Sequence, residues 1–171
     1  ELGSVAENSL VNLTSANTGW ILGYGGLQNF KDIQLSQGAF VNAPTFEEGS
    51  GNIQVQGRRV TIQDGAAIAA PTFGSKPGGT LTVRASDSVE LSGTTIGGLP
   101  SGLFTNVDPS REGATGNGGN LSIQTGRLLI QDGAEVSTST FGAGTAGNLT
   151  VIASDSVELV GTSPDGRSRS G

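Results

Sequence analysis

Residues 51–95 read GNIQVQGRRVTIQDGAAIAAPTFGSKPGGTLTVRASDSVELSGTT. Residues 119–163 read GNLSIQTGRLLIQDGAEVSTSTFGAGTAGNLTVIASDSVELVGTS. The two align without a gap at an offset of 68, and 25 of the 45 positions are identical. A fixed period of this kind points to stacked supersecondary units, each burying its apolar face against the next. Function is then sought first in a surface or a shape, and only second in a catalytic cluster.

Within the period two kinds of coil alternate. One supplies short apolar-alternating runs at residues 52–55, 60–63 and 66–70, copied at 120–123, 128–131 and 134–138. The other supplies runs at 80–84, 88–92 and 102–106, the first two copied at 148–152 and 156–160. Leu81/Val83, Val89/Leu91, Leu149/Val151 and Val157/Leu159 sit at i and i+2, so Thr82, Glu90, Thr150 and Glu158 between them face water. Ile62 and Ile130 occupy equivalent inward positions, as do Phe73 and Phe141, with Phe46 as a third.

The joints carry turn chemistry: Asp64-Gly65 and Asp132-Gly133, and Gly-Asn pairs at 51, 119 and 147. Asp-Gly is also a hairpin signal, so an antiparallel fold competes. The grouping of short runs in threes argues against it. The Asn at each coil start (Asn52, Asn120, Asn148) either form a ladder between coils or lie in solvent. Equivalent strands at Ile53, Leu81, Leu121 and Leu149 are spaced 28, 40 and 28 apart. The additional dozen residues of the middle interval are assigned to a polar loop extruded at 106–118. A weaker copy lies upstream, with Gly38, Pro44 and Phe46 matching Gly65, Pro71 and Phe73 at an offset of 27.

The expected fold is all-β: a right-handed, single-stranded parallel β-helix of about five to six coils, three short strands per coil. At roughly 4.8 Å per coil the rod is about 25–30 Å long. It occupies residues 1–171 as one segment, with 1–32 irregular or a first coil, 33–118 coils with the extruded loop, and 119–171 repeated coils. The chain carries no Met and breaks off in SPDGRSRSG, inside a loop, so the reading is a fragment of a longer protein.

Composition agrees with a thin core and much loop: 29 Gly, 34% hydrophobic residues and a net charge of −6. The negative charge disfavours nucleic acid and anionic membrane as partners. No apolar run approaches the ~20 residues of a spanning helix, so no membrane insertion is expected. There is no Cys and no His, which removes the usual parts of zinc, Ser-His-Asp and Cys-His sites.

The acids Asp64/Asp132, Asp87/Asp155 and Glu90/Glu158 recur once per repeat. Recurrence fits turns and solubility, whereas an active site is usually singular. Asp87 and Asp155, each in Ser-Asp-Ser, read as turn acceptors, and Glu90 and Glu158 as solvated. Calcium in the 108–112 loop (DPSRE) is an alternative with weak support, since three carboxylates do not lie close in sequence. GYGG at 23–26 lacks the following helix and Gly-Lys of a phosphate loop. A Thr array for ice binding is broken by Gln54 and Ser122, and the Asn12 sequon reads as chance. No catalytic, cofactor or metal residue is assigned, and no enzyme is expected.

The combination of GN[IL]x[IV], [IV]QDGA, TFG and SDSVEL[SV]GT, over roughly residues 33–171, resembles the repeat arrays of filamentous haemagglutinin-like exoproteins. These are large adhesins exported by two-partner secretion in Gram-negative bacteria. The resemblance implies a right-handed β-helix, a secreted location at the bacterial cell surface, and an adhesive or structural role. It implies a receptor or glycan on another cell as partner, and an outer-membrane transporter engaged during export through a segment not present here. The NPNG- and NPNL-type motifs of that family's secretion domain are absent from this chain. Two other readings stand beside it: a β-helical polysaccharide lyase or hydrolase, and a filament built by end-to-end self-association.

Overall fold

The computed structural model describes the backbone of residues 12–16 and 19–23, and residues 29–46, 51–108 and 114–171 in full. Among these residues there is no helix. β1 (Asn12–Ala16) and β2 (Gly19–Gly23) pair antiparallel with each other. The strands after them form a parallel stack, and single antiparallel bridges, Thr94↔Pro100 and Thr162↔Arg169, close two excursions from it.

The long face is a five-stranded sheet in which β3 (Ile33–Leu35), β5 (Ile53–Gln63), β7 (Leu81–Ser92), β9 (Leu121–Gln131) and β11 (Leu149–Val160) follow in chain order. A second face stacks β4 (Phe40–Asn42), β6 (Ala67–Ala69), β8 (Gly102–Phe104) and β10 (Glu135–Ser137). Single parallel bridges Thr45↔Thr72, Thr72↔Val107 and Val107↔Thr140 extend that face. The chain thus winds a β-solenoid of about four turns, and each turn's backbone groups are satisfied by the next.

The registers Ile53↔Leu81, Leu81↔Leu121 and Leu121↔Leu149 reproduce the 28, 40, 28 spacing. The upstream copy also falls in place, with Phe40 paired to Ala67 at the expected offset of 27. The alternation holds as well. Leu81, Val83, Val89 and Leu91 are fully buried, with Ile62 and Leu121, in one core running the length of the stack.

Three details differ from the sequence reading. First, the two runs expected on each side of residue 58 are one continuous strand, bent at an irregularity between Gly57 and Arg59. Ladder pairing resumes at once after the bend, so no separate strand is cut.

Second, the additional residues of the long coil are spread over three places. The offset to the preceding coil is 28 at Ile53↔Leu81, 29 at Val60↔Val89, 35 at Ala67↔Gly102 and 40 at Leu81↔Leu121. One residue enters at the bend, six in the excursion at 93–101, and five between Val107 and Leu121. Residues 109–113, including most of DPSRE, lie outside the described residues.

Third, the phenylalanines face outward. Phe46 is 40% and Phe141 68% exposed, and Phe46 stacks on Phe73 at 5.6 Å on the surface. The inward places belong to Thr45 and Thr72, one residue before Phe46 and Phe73, and to Val107 in the same rank. The interior there is narrow: a Cβ on Gly78 would already strike Thr72 Oγ1. A ring does not fit.

The turns are as the Asp-Gly pairs suggested, but they make a corner between faces and no hairpin. Asp64 and Gly65 have φ of 56° and 76°, Asp132 and Gly133 of 56° and 84°, and Gln37 and Gly38 of 55° and 69°. Each turn is closed by a bond of about 3.1 Å from Ala39, Ala66 or Ala134 N–H to the carbonyl three residues back. Two consecutive positive φ values favour Gly at one position and Asp or Asn at the other.

Candidate functional site: a groove along the bend

The bend of the long face recurs in β5, β7, β9 and β11 and stacks into a corner running along the solenoid. Two versions alternate. In β5 and β9 the corner is carried by arginine: Gly57-Arg58-Arg59 and Thr125-Gly126-Arg127. In β7 and β11 it is Ser86-Asp87-Ser88 and Ser154-Asp155-Ser156. The aspartate versions take one residue more to turn it. Gly57 to Arg59 spans Ala85 to Ser88, and Thr125 to Arg127 spans Ala153 to Ser156.

Opposite charges therefore meet across neighbouring coils. Arg59 Nε donates to Asp87 Oδ2 at 2.7 Å, and Arg58 reaches Asp87 at 3.4 Å and Asp32 of the preceding coil at 2.5 Å. Arg59, then Arg58 and Arg127 by charge alone, hold the Asp87 carboxyl below its ordinary value of 3.8, and Asp87 raises Arg59 in return. All these groups are about half exposed, so each pair is worth little as stabilisation. Asp87 was expected as a turn acceptor; its carboxylate instead accepts from Arg59 and Arg58 of the neighbouring coil.

Beside this corner lies a groove of about 760 Å³ that crosses every coil. Its rim includes a register rank, Gln56, Arg84, Gln124 and Ile152, one per coil. Lys31 and Arg58 stand at one end, and Ser86 and Ser154 offer hydroxyls. Among the described residues, Arg84 and Lys31 have no ion-pair partner. The groove presents one rank residue per coil at roughly the 4.8 Å strand spacing, amides at Gln56 and Gln124, a cation at Arg84 and apolar Ile152. That periodicity suits an extended polymer lying along the axis better than a compact metabolite.

The recurring acids are not brought together. Ser88 Oγ donates to Glu90 and Ser156 Oγ to Glu158, both at 3.0 Å, the same local bond in each copy. Asp64 accepts from Gln63 Nε2 at 3.2 Å within its turn, and Asp132 holds the equivalent turn two coils away. Among the described residues no three acids converge as a metal site would require.

The asparagines form a ladder. Asn52 Oδ1 accepts from the Thr80 N–H at 2.8 Å, and Asn120 Oδ1 from the Asn148 N–H at 2.9 Å, each one coil ahead. The groove and the charged corner were not singled out from sequence. The signal was present as Arg59 and Arg127 repeating at 68 and Asp87 and Asp155 doing the same, but adjacency of the two sets needs the coil register.

Fold and groove together define a parallel β-solenoid with a polar face running its length. Comparison with known protein families, with curated proteins and with solved structures finds no match for the chain.

Proposed function

We propose that this chain is a structural and adhesive rod segment of a secreted, cell-surface exoprotein of the filamentous haemagglutinin type. In this reading the solenoid is right-handed, following the usual hand of parallel connections, and the whole rod segment has five or six coils. Export through an outer-membrane transporter uses a segment outside this chain.

The observation that carries the reading is the groove that crosses the coils, because it offers several weak contacts, one or more per coil, along one rigid axis. Such contacts sum by avidity. The partner on this view is an extended glycan or receptor strand on another cell. The groove's groups sit on strands and not on a loop, which holds them in fixed positions.

Immobilised chain exposed to neutral, uronic and sulfated polysaccharides tests this. At least one class should be retained, and Ser86→Trp, which fills the groove from an exposed position, should cut retention at least fivefold without lowering Tm. Retention unchanged by Ser86→Trp moves the contact to another face. Appearance of reducing ends or unsaturated products means a glycan-cleaving enzyme instead.

A further inference from the structure

Among the described residues β11 is the last strand of the long face, paired only with β9. Its core-side residues Leu149, Val151, Val157 and Leu159 are 37–55% exposed, whereas their equivalents Leu81, Val83, Val89 and Leu91 are fully buried. The other end of the stack differs: Ile33 and Leu35 of β3 are buried. An uncovered apolar edge alone says nothing of what covers it. Here three polar columns do.

The first column is glycine. A Cβ on Gly79 would strike the Gly51 carbonyl oxygen, one on Gly119 that of Gly79, and one on Gly147 that of Gly119. Whatever stacks on Gly147 meets its carbonyl in the same way and must be Gly. The second column is the asparagine ladder. Asn52 and Asn120 accept an N–H from the coil ahead, and Asn148 stands in the same place at the edge. The third is the corner. Asp87 has Arg58 and Arg59 on one side and Arg127 on the other. Asp155 has β9 on one side only, and no ion-pair partner among the described residues.

We propose that the β11 edge is a docking surface selective for a strand of the arginine type: Gly-Asn, two alternating apolar residues, a short corner ending in Arg, then two more. Residues 119–131, GNLSIQTGRLLIQ, are such a strand. An aspartate-type strand such as 147–160 satisfies the Gly and Asn columns and matches the length of the bend but places Asp on Asp155. Like charges placed opposite are destabilising, and this is how a weak surface pair confers specificity. The same rule disfavours head-to-tail stacking of a second copy. At the other end β3 offers only three residues, its Ile33 and Leu35 are already buried, and the acid Asp32 stands at its corner.

The alternation thus acts as a parity code. Coils two apart match at 25 of 45 positions and keep the same apolar positions, so a slip that stacked like on like would otherwise keep the apolar register.

The test is titration of the full chain with labelled peptide 119–131 or peptide 147–160, read by fluorescence anisotropy and by hydrogen exchange at β11. The arginine-type peptide should bind and protect the β11 amides. The aspartate-type peptide should bind at least tenfold more weakly. Arg127→Asp in the peptide should abolish binding to the native chain and restore it to the Asp155→Arg chain. In a second arm residues 103–131 are fused after Gly171, whose N–H bonds to Ala134 O as Gly102 bonds to Ala66 O. The fused coil should protect β11, and the same coil with Arg127→Asp should not. Equal binding of both peptide types, a concentration-dependent homodimer through β11, or no protection in either arm each overturns the proposal.

Discussion

At Gly119 the place of a side chain is taken by a backbone carbonyl of the coil below. The Gly-Asn pair therefore has two jobs at once: the glycine admits close approach, and the asparagine beside it accepts an N–H from the coil above. Gly119→Ala should destabilise the chain by about 1–3 kcal/mol, as overpacking does, seen as a lower urea midpoint at unchanged slope. Asn120→Ala removes one bond to Asn148 and should cost about 0.5–1.5 kcal/mol. Amide exchange of Asn148 should quicken in that variant, and an unchanged rate would mean that the side-chain bond does not form in solution. Both glycine and asparagine were conspicuous in the sequence. The ladder stood there beside a solvent-exposed alternative, because only the register sets one Asn against the next coil's N–H.

The bent strand is the element that sets the corner chemistry. Arg59 donates to Asp87 and holds its carboxyl low. A carboxylate whose folded value is depressed adds stability above its unfolded value, and loses it as pH falls through the folded value. The wild type should therefore exceed Arg59→Gln in stability at neutral pH, and the difference should shrink as pH falls below about 4 and vanish only below the depressed folded value. A carboxyl NMR titration should show Asp87 moving up toward 3.8 in the variant; an unmoved Asp87 would sink the pairing. At this scale the sequence reading separated what the structure joins. Gln56 and Val60 look like parts of two strands because Gly57-Arg58-Arg59 carries no apolar alternation. The ladder bridges that gap with bonds to the neighbouring coils, which no local pattern reports.

For the whole molecule, the stack has a covered end and an open one. Nearest-neighbour arrays fray from the end with fewer interfaces. Hydrogen exchange should be slowest in β5, β7 and β9 and fastest on the long face in β11, whose apolar side chains are half exposed. Urea unfolding followed at Trp20, the one tryptophan, and by circular dichroism should give transitions that do not coincide. A single coincident transition would mean that the four turns unfold as one unit.

The amino-acid sequence by itself determined the coil: its strand spacing, its alternation of two types, its Asp-Gly corners and its Gly-Asn starts. Each of these is a local steric or hydrogen-bonding requirement, written within a few residues and repeated. Only the tertiary structure decided which residues share a column. It put Thr72 inside and Phe73 outside, set Arg59 against Asp87, divided the additional dozen residues among three places, and opened a groove across the coils. Those outcomes depend on contacts between positions 28 to 40 residues apart. Their energies come from the neighbouring coil, and a single coil's sequence does not contain its neighbour.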